Sequence, residues 1–148
     1  MAHATRANLG YLLAKASQRW NEVLAARFAA EGFAEVRPSY GSVLIPLLEE
    51  DGLRMGEIAR RARLSKQTIT TLVGLCERDG LVERHPDPTD GRAIVVRLTA
   101  RARRFRPVAE RVLGELEREV EGLLGPRRRS GLRSALLELA DLGRASPA

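Results

Sequence analysis

Apolar residues recur at three- and four-residue intervals through most of this chain and alternate singly in one short region. Leu9, Leu12, Leu13, Ala16, Trp20, Val23, Leu24 and Phe28 predict a helix over about residues 7–30, which Gly32 should end. A second helix is expected from near Pro38, with Val43, Leu44, Leu47 and Leu48 on one face and a stop around Asp51-Gly52. Met55, Ile58, Ala59 and Ala62 give a short third helix. The fourth is the best specified: Ser65 is a natural N-cap, and Leu64 and Ile69 can form a hydrophobic staple. Ile69, Leu72, Val73 and Cys76 fall on one side of it, while Gln67, Thr70, Thr71, Gly74 and Arg78 fall on the other. Asp79-Gly80 closes it.

Single alternation then takes over. Two short runs, Leu81–His85 and Ala93–Leu98, flank a Pro-Asp-Pro-Thr-Asp-Gly-Arg loop and predict a two-stranded ribbon with Arg92 at its tip. Gly91 should allow a tight reversal, and the Asp90 carboxylate should orient the Arg92 guanidinium. Thr99 reads as the cap of a long fifth helix striped by Phe105, Val108, Val112, Leu116, Val120 and Leu123. Pro107 lies inside that stripe and should bend or divide the helix. Gly125-Pro126 breaks the chain before a sixth helix bearing Leu132, Leu136 and Leu139.

Two short helices joined by a tight turn and followed by a β-ribbon make a winged helix-turn-helix. The expected fold class is mainly α with a small β-wing, the winged region over residues 37–100 and helical dimerisation regions over 1–36 and 101–148, all in one domain. The first, fifth and sixth helices carry apolar stripes longer than a small winged domain can cover, so a homodimer is expected.

Charge sharpens the picture through its distribution. The formal net charge is +6. Residues 1–53 hold five basic and six acidic side chains, residues 107–148 hold seven of each, and residues 54–106 hold thirteen basic against six acidic. The excess therefore lies in the segment of the winged helix, an electrostatic footprint for a polyanion. The competing reading is a solvated surface in an arginine-biased chain, where only Lys15 and Lys66 are lysines.

Double-stranded DNA is the polyanion this arrangement suits. A major groove about 12 Å wide admits a helix, where Gln67 can pair with adenine and Thr70 and Thr71 can meet a thymine methyl. Lys66, with Ser65 and Thr68 in the same first turn, suits a phosphate or a guanine edge. Arg92 suits a narrow minor groove, whose negative potential attracts arginine. Arg63 in the turn and Arg84 and Arg97 on the strands are candidate phosphate contacts. Gly74 costs roughly 1 kcal/mol in mid-helix relative to Ala, and its missing side chain allows close approach of a backbone or a neighbouring element. Two other functions fit the same residues: an architectural DNA binder without base readout, and a winged module that binds protein.

The run from Glu57 to Thr99, EIARRARLSKQTITTLVGLCERDGLVERHPDPTDGRAIVVRLT, resembles the winged helix of the MarR family of bacterial transcription regulators. LSKQTIT opening the fourth helix, RDGLVER entering the ribbon and DGRAIVVRLT leaving it carry the resemblance. It implies a triangular dimer with terminal helices at the apex and a winged helix at each base corner. It also implies a pseudo-palindromic operator, usually repressed, with release by a small hydrophobic or anionic effector. Arg63 stands where the family often has Gly, so a strained or altered turn is expected. Thr71 and Leu75 stand where arginines are frequent, which removes two DNA contacts.

Other residues suggest chemistry without carrying it. Cys76 lies on an apolar face and reads as a small core residue rather than a redox sensor; a single cysteine forms no intramolecular disulfide. His3 and His85 are too few and too far apart in sequence for a metal site. Trp20 and Tyr40 are candidate walls of an effector pocket, with core or interface aromatics as the alternative. Arg127–Arg129 reads as a solvated run, or one that pairs with acids of the partner chain. No phosphate-cradling glycine loop, nucleophile–histidine motif or metal-ligand spacing is evident, so neither an enzyme, a catalytic residue nor a cofactor is expected. No run approaches the roughly 18 apolar residues of a membrane span, and a cytoplasmic protein is expected.

Overall fold

The computed structural model describes residues 4–144. The chain forms two compact units, residues 1–110 and 111–148. The division falls inside the long fifth helix, beyond the expected boundary between residues 100 and 101.

The first unit opens with α1 (Leu9–Ala30), whose N-terminal amides are met by the Asn8 side chain, Oδ1 accepting from Gly10 at 2.9 Å. At its far end Gly32 takes φ +87°, and the amide of Phe33 donates to the carbonyl of Phe28 at 2.9 Å. That left-handed exit satisfies carbonyls the helix cannot. Pro38–Tyr40 make one 3₁₀ turn that leads into α2 (Gly41–Glu49). Strand β1 (Leu53–Arg54) precedes α3 (Met55–Ala62) and α4 (Lys66–Arg78). Strands β2 (Val82–Asp87) and β3 (Asp90–Leu98) follow, and then α5 (Ala100–Leu124).

The three strands form an antiparallel sheet in the order β1-β3-β2. Leu53 pairs with Val96, Val82 with Leu98 and Arg84 with Val96. Strand β1 carries too few residues for alternation to announce it. The ribbon is longer than its sequence predicts, because the reversal is made by Pro88 and Thr89 and not at Gly91. Gly91 does not take a positive φ. The Asp87 carboxylate makes the turn instead, accepting from the Thr89 amide at 2.9 Å and the Thr89 hydroxyl at 2.8 Å. Next to the turn the register slips: Pro86 opposes Ile94 while Asp87 opposes Asp90, which leaves Gly91, Arg92 and Ala93 as extra residues of β3. Proline has no amide to donate to the ladder, so a bulge beside it is expected physically.

Tyr40, Val43, Leu47, Ile58, Ile69, Val73, Cys76, Leu81, Val82 and Val96 are the fully enclosed centre of this unit. All three phenylalanines join them. The Phe105 ring meets Phe28 edge-on at 4.8 Å and Phe33 at 5.1 Å between centroids. Arg101 stacks on Phe33 at 4.0 Å, bonds Glu35 at 2.7 Å and donates to the Gly32 carbonyl at 2.5 Å. The buried row of α5 includes Ala102, Phe105 and Ala109, whereas Val108 is only half-buried. Pro107 does not divide α5. It lies on an exposed side, as does Arg103, whose carbonyl would otherwise receive an amide from position 107.

Thr99 holds three elements together. Its hydroxyl donates to the Gly80 carbonyl at 2.7 Å and accepts from the Ala102 amide at 3.2 Å, while its own amide donates to Leu81 at 3.1 Å. The expected cap of α5 is thus also the fastening of the ribbon's base to the end of α4.

In the second unit, α5 turns at Gly125 (φ +83°) into α6 (Pro126–Leu139). Arg129 pairs with Glu117 at 3.0 Å, so the Arg127–Arg129 run is not wholly solvated. No residue of α6 is buried, and Leu123 is 80% exposed.

Candidate nucleic-acid interface

The turn between α3 and α4 is made by Arg63, at φ +57° and ψ +38°, the one non-glycine with positive φ among the described residues. The altered turn expected at this position is therefore a left-handed residue that keeps its Cβ. Arg63→Val adds a branch at the crowded atom and Arg63→Gly removes the atom. The valine variant should be about 1–2 kcal/mol less stable than the glycine variant in urea melts.

That turn delivers α4 with its N-terminal turn outward. Ser65 Oγ accepts from the Thr68 amide at 3.1 Å and donates to Thr68 Oγ1 at 2.8 Å, which commits Ser65 to capping and leaves the Thr68 hydroxyl a proton to give. Lys66 and Gln67 are exposed, and neither side chain has a partner among the described residues. Thr70 and Thr71 are exposed as well, but their hydroxyls donate back to the helix, to the carbonyls of Lys66 at 2.8 Å and Gln67 at 3.2 Å.

Strand β2 brings Arg84 to the same helix. Its guanidinium lies 4.0 Å from the position a Cβ on Gly74 would take and 3.5 Å from the Glu77 carboxylate. Gly74 stands in the helical row of Gln67, Thr71 and Arg78, so the Arg84 side chain rests beside that row. Arg97 occupies the opposite face of the ribbon, since it pairs with Glu83 where Arg84 pairs with Val96. It lies over the Gly52 turn, away from α4.

Arg92 stands in the bulge just after the turn, exposed and without an acidic partner among the described residues. Asp90 does not hold its guanidinium as expected. The carboxylate accepts from the Arg92 backbone amide at 3.1 Å, because two residues across a bulge bring main chain rather than side chain within reach. The brace of the ribbon comes from elsewhere. Arg54, at the end of β1, bonds Asp87 at 2.6–2.8 Å. The Thr89 amide, the Thr89 hydroxyl and then Arg54 hold the Asp87 carboxyl at about 2, so it stays ionised at any physiological pH. Nothing in the spacing of Arg54 and Asp87 announces this pair; it depends on the register of three strands.

Much of the positive charge of residues 54–106 is met locally. Arg60 and Arg61 share Glu57, Arg61 also reaches Glu50, and Arg78 pairs with Asp79. Hydrogen bonds from Arg60 and then Arg61 hold the Glu57 carboxyl at about 2. Among the described residues Lys66 on the first turn of α4, Arg92 and Arg97 on the ribbon and Arg104 on α5 have no acidic partner.

Burial, then the Asp79 charge, pushes the Cys76 thiol up to about 12, so it carries no thiolate at neutral pH. Tyr40 is wholly enclosed, with its hydroxyl donating to Asp79 at 2.5 Å, and Trp20 is half-buried on α1. As it stands, Tyr40 presents no surface to a ligand. His85 bonds Glu83 at 3.0 Å on the ribbon, and His3 lies outside the described residues. Among the described residues no group of His, Cys, Asp and Glu could hold a metal, and no helix is long and apolar enough to cross a membrane.

The sequence profile of the MarR family matches residues 35–93, from the approach to α2 through the bulge of β3. The chain is 40% identical over 53 residues to the transcriptional activatory protein BadR of Rhodopseudomonas palustris, covering 36% of this chain and 30% of BadR. It spans between 30% and 56% of the length of the curated relatives it matches. Solved structures match over nearly the whole chain. The transcriptional repressor CouR, bound to a 23-mer DNA duplex, superposes with a TM-score of 0.74 at 28% identity, covering 89% of this chain and 92% of CouR. A MarR-family protein of Mycobacterium tuberculosis in complex with salicylic acid gives 0.60 at 27% identity, covering 90% and 96%. Residues 35–93 thus match the MarR family, and the fold as a whole is similar to that of solved MarR-family regulators.

Proposed function

We propose that the protein is a sequence-specific, DNA-binding transcription regulator that acts as a homodimer on a pseudo-palindromic operator. The observation that carries this reading is the meeting of ribbon and helix: Arg84 lies on the exposed row of α4 that holds Gln67 and Thr71, with Lys66 and Arg92 left unneutralised. In this reading α4 enters a major groove, where Gln67, Thr70 and Thr71 meet base edges. Arg63, Lys66, Thr68 and Arg84 hold phosphates, Ser65 caps the helix that carries them, and Arg92 enters the flanking minor groove. CouR, the relative seen on a duplex, supports the mode.

Exposed apolar side chains support the homodimer. Leu9, Tyr11, Leu12 and Leu13 on α1 are 42–73% exposed, and Leu132, Leu136, Leu137 and Leu139 on α6 are 42–53% exposed. A second copy would remove them from water. Repression released by a small hydrophobic or anionic effector is the regulatory half of the proposal, supported by CouR, a repressor, and by the salicylate-bound relative. An effector acts here by favouring a spacing of the two α4 helices that no longer matches half-sites about 34–36 Å apart.

Fluorescence anisotropy on duplexes recovered from the genome tests the contacts. Arg92→Ala should weaken binding to all duplexes alike and lower the salt slope by about 2, one for each protomer, whereas Gln67→Ala should relax preference at one or two base pairs by roughly 1–3 kcal/mol. Unchanged affinity and selectivity in both variants would overturn the assignment.

A further inference from the structure

We propose that α4 reads thymine through the methyl groups of Thr70 and Thr71, so that the bases it meets at the centre of each half-site are A·T pairs. The inference rests on the DNA-binding reading and deepens it. A threonine offers a groove one hydroxyl proton, two hydroxyl lone pairs and one methyl. In both residues the proton is already given to the helix, at 2.8 Å to Lys66 and 3.2 Å to Gln67. Each carbonyl already receives an amide bond within the helix, so the hydroxyl spans a short loop closed on its own backbone. What remains for the duplex is a weak acceptor and an apolar methyl on an exposed side chain.

Guanine is poorly served by this surface. Its major-groove edge presents two acceptors and calls for a donor fork, best an arginine. From Lys66 to Glu77 the helix holds no arginine, and Arg78 at its end is tied to Asp79 at 3.2 Å. Lys66 is a donor, but a single ammonium is a point charge without the planar fork of an arginine, and the proposed complex gives it to a phosphate. Gln67, whose side chain has no partner among the described residues, supplies the bidentate partner of adenine. A glutamine beside two methyls is therefore a surface complementary to the adenine N6/N7 edge and the thymine C5-methyl.

The experiment selects duplexes from a randomised pool with the whole protein, then measures anisotropy on the recovered duplex with thymine replaced by deoxyuridine at each central position. Deoxyuridine keeps pairing and both groove acceptors and lacks only the methyl. One or two central positions should each lose about fourfold in affinity, the worth of one buried methyl. Thr71→Val, which keeps a methyl branch and loses the hydroxyl, should retain the thymine preference, and Thr71→Ser, which keeps the hydroxyl and loses the methyl, should abolish it; the same pair at Thr70 completes the set. Circular dichroism of all four variants checks that α4 is intact. A centre rich in G·C, or indifference to deoxyuridine with binding intact, overturns methyl readout and leaves the DNA-binding reading standing. Failure to retain any duplex at low salt overturns both.

Discussion

Raising salt from 50 to 200 mM should weaken binding to a duplex by roughly 10³–10⁵, given the 6–10 phosphates a dimer of this kind neutralises. The number follows from the side chains available. In the proposed complex each protomer would bring Arg63, Lys66, Arg84 and Arg92 to the backbone and minor groove, which a homodimer doubles to about eight cations. Each displaces condensed counterions whose return is favoured as salt rises, so log affinity against log salt should fall with a slope of about −7. Arginines held by an acid within 3.0 Å contribute little, because binding DNA first requires them to leave it, whereas Arg84 stands 3.5 Å from Glu77. Arg60 and Arg61, shared between Glu57 and Glu50, and Arg54, held by Asp87, are therefore expected to stay out of the slope. Anisotropy titrations across the salt range measure it directly. A slope near −1, or salt-insensitive binding, would point to the winged module as a protein-binding surface instead.

Phe105→Ala should destabilise the first unit by about 3–5 kcal/mol, a large part of the 5–15 kcal/mol that holds an ordinary domain folded. Phe105 is 3% exposed and touches both other phenylalanines of the chain, so no solvent can fill the space it leaves. The loss would spread, because Phe33 is also the platform for Arg101, and Arg101 fastens Glu35 and the Gly32 carbonyl. Urea denaturation followed by circular dichroism checks the size of the effect. Phe105→Leu, which refills most of the volume, should cost clearly less, and equal losses in the two variants would show that the ring stacking, rather than the filled volume, is what counts.

Patterns of local origin were legible in the sequence. The apolar row of α4, the cap at Ser65 and the exit at Gly32 each depend on residues a few places apart, and each is found where expected. Thr99 caps α5 for the same reason. Features that depend on register across distant segments were not legible. Strand β1 exists only because Leu53 finds Val96, and the Arg54–Asp87 brace follows from that pairing. The ribbon turn was placed too late, at Gly91, because glycine is the familiar turn residue; here an aspartate side chain satisfies the turn amides and leaves Gly91 in a strand. Along α5, Val108 outranks Ala109 in apolarity, yet Ala109 is the buried one, since a small side chain suits a closely packed place. At the interface, exposure of Gln67, Thr70 and Thr71 followed from helical phase alone. The inward bonds of the two threonine hydroxyls, and Arg84 resting beside Gly74, required coordinates.

The triple attachment at Thr99 also sets how the molecule breathes. One residue ties the Gly80 carbonyl just past α4, the Leu81 carbonyl at the root of the ribbon and the first turn of α5, so none of the three can fray alone. Their slowest-exchanging amides should share a common opening free energy and respond together when Thr99 is replaced by valine, which keeps the shape and removes both hydroxyl bonds. Within the first unit, a push on the opening turn of the long helix would then move the base of the ribbon and the end of α4 with it, as a tilt of one solid piece.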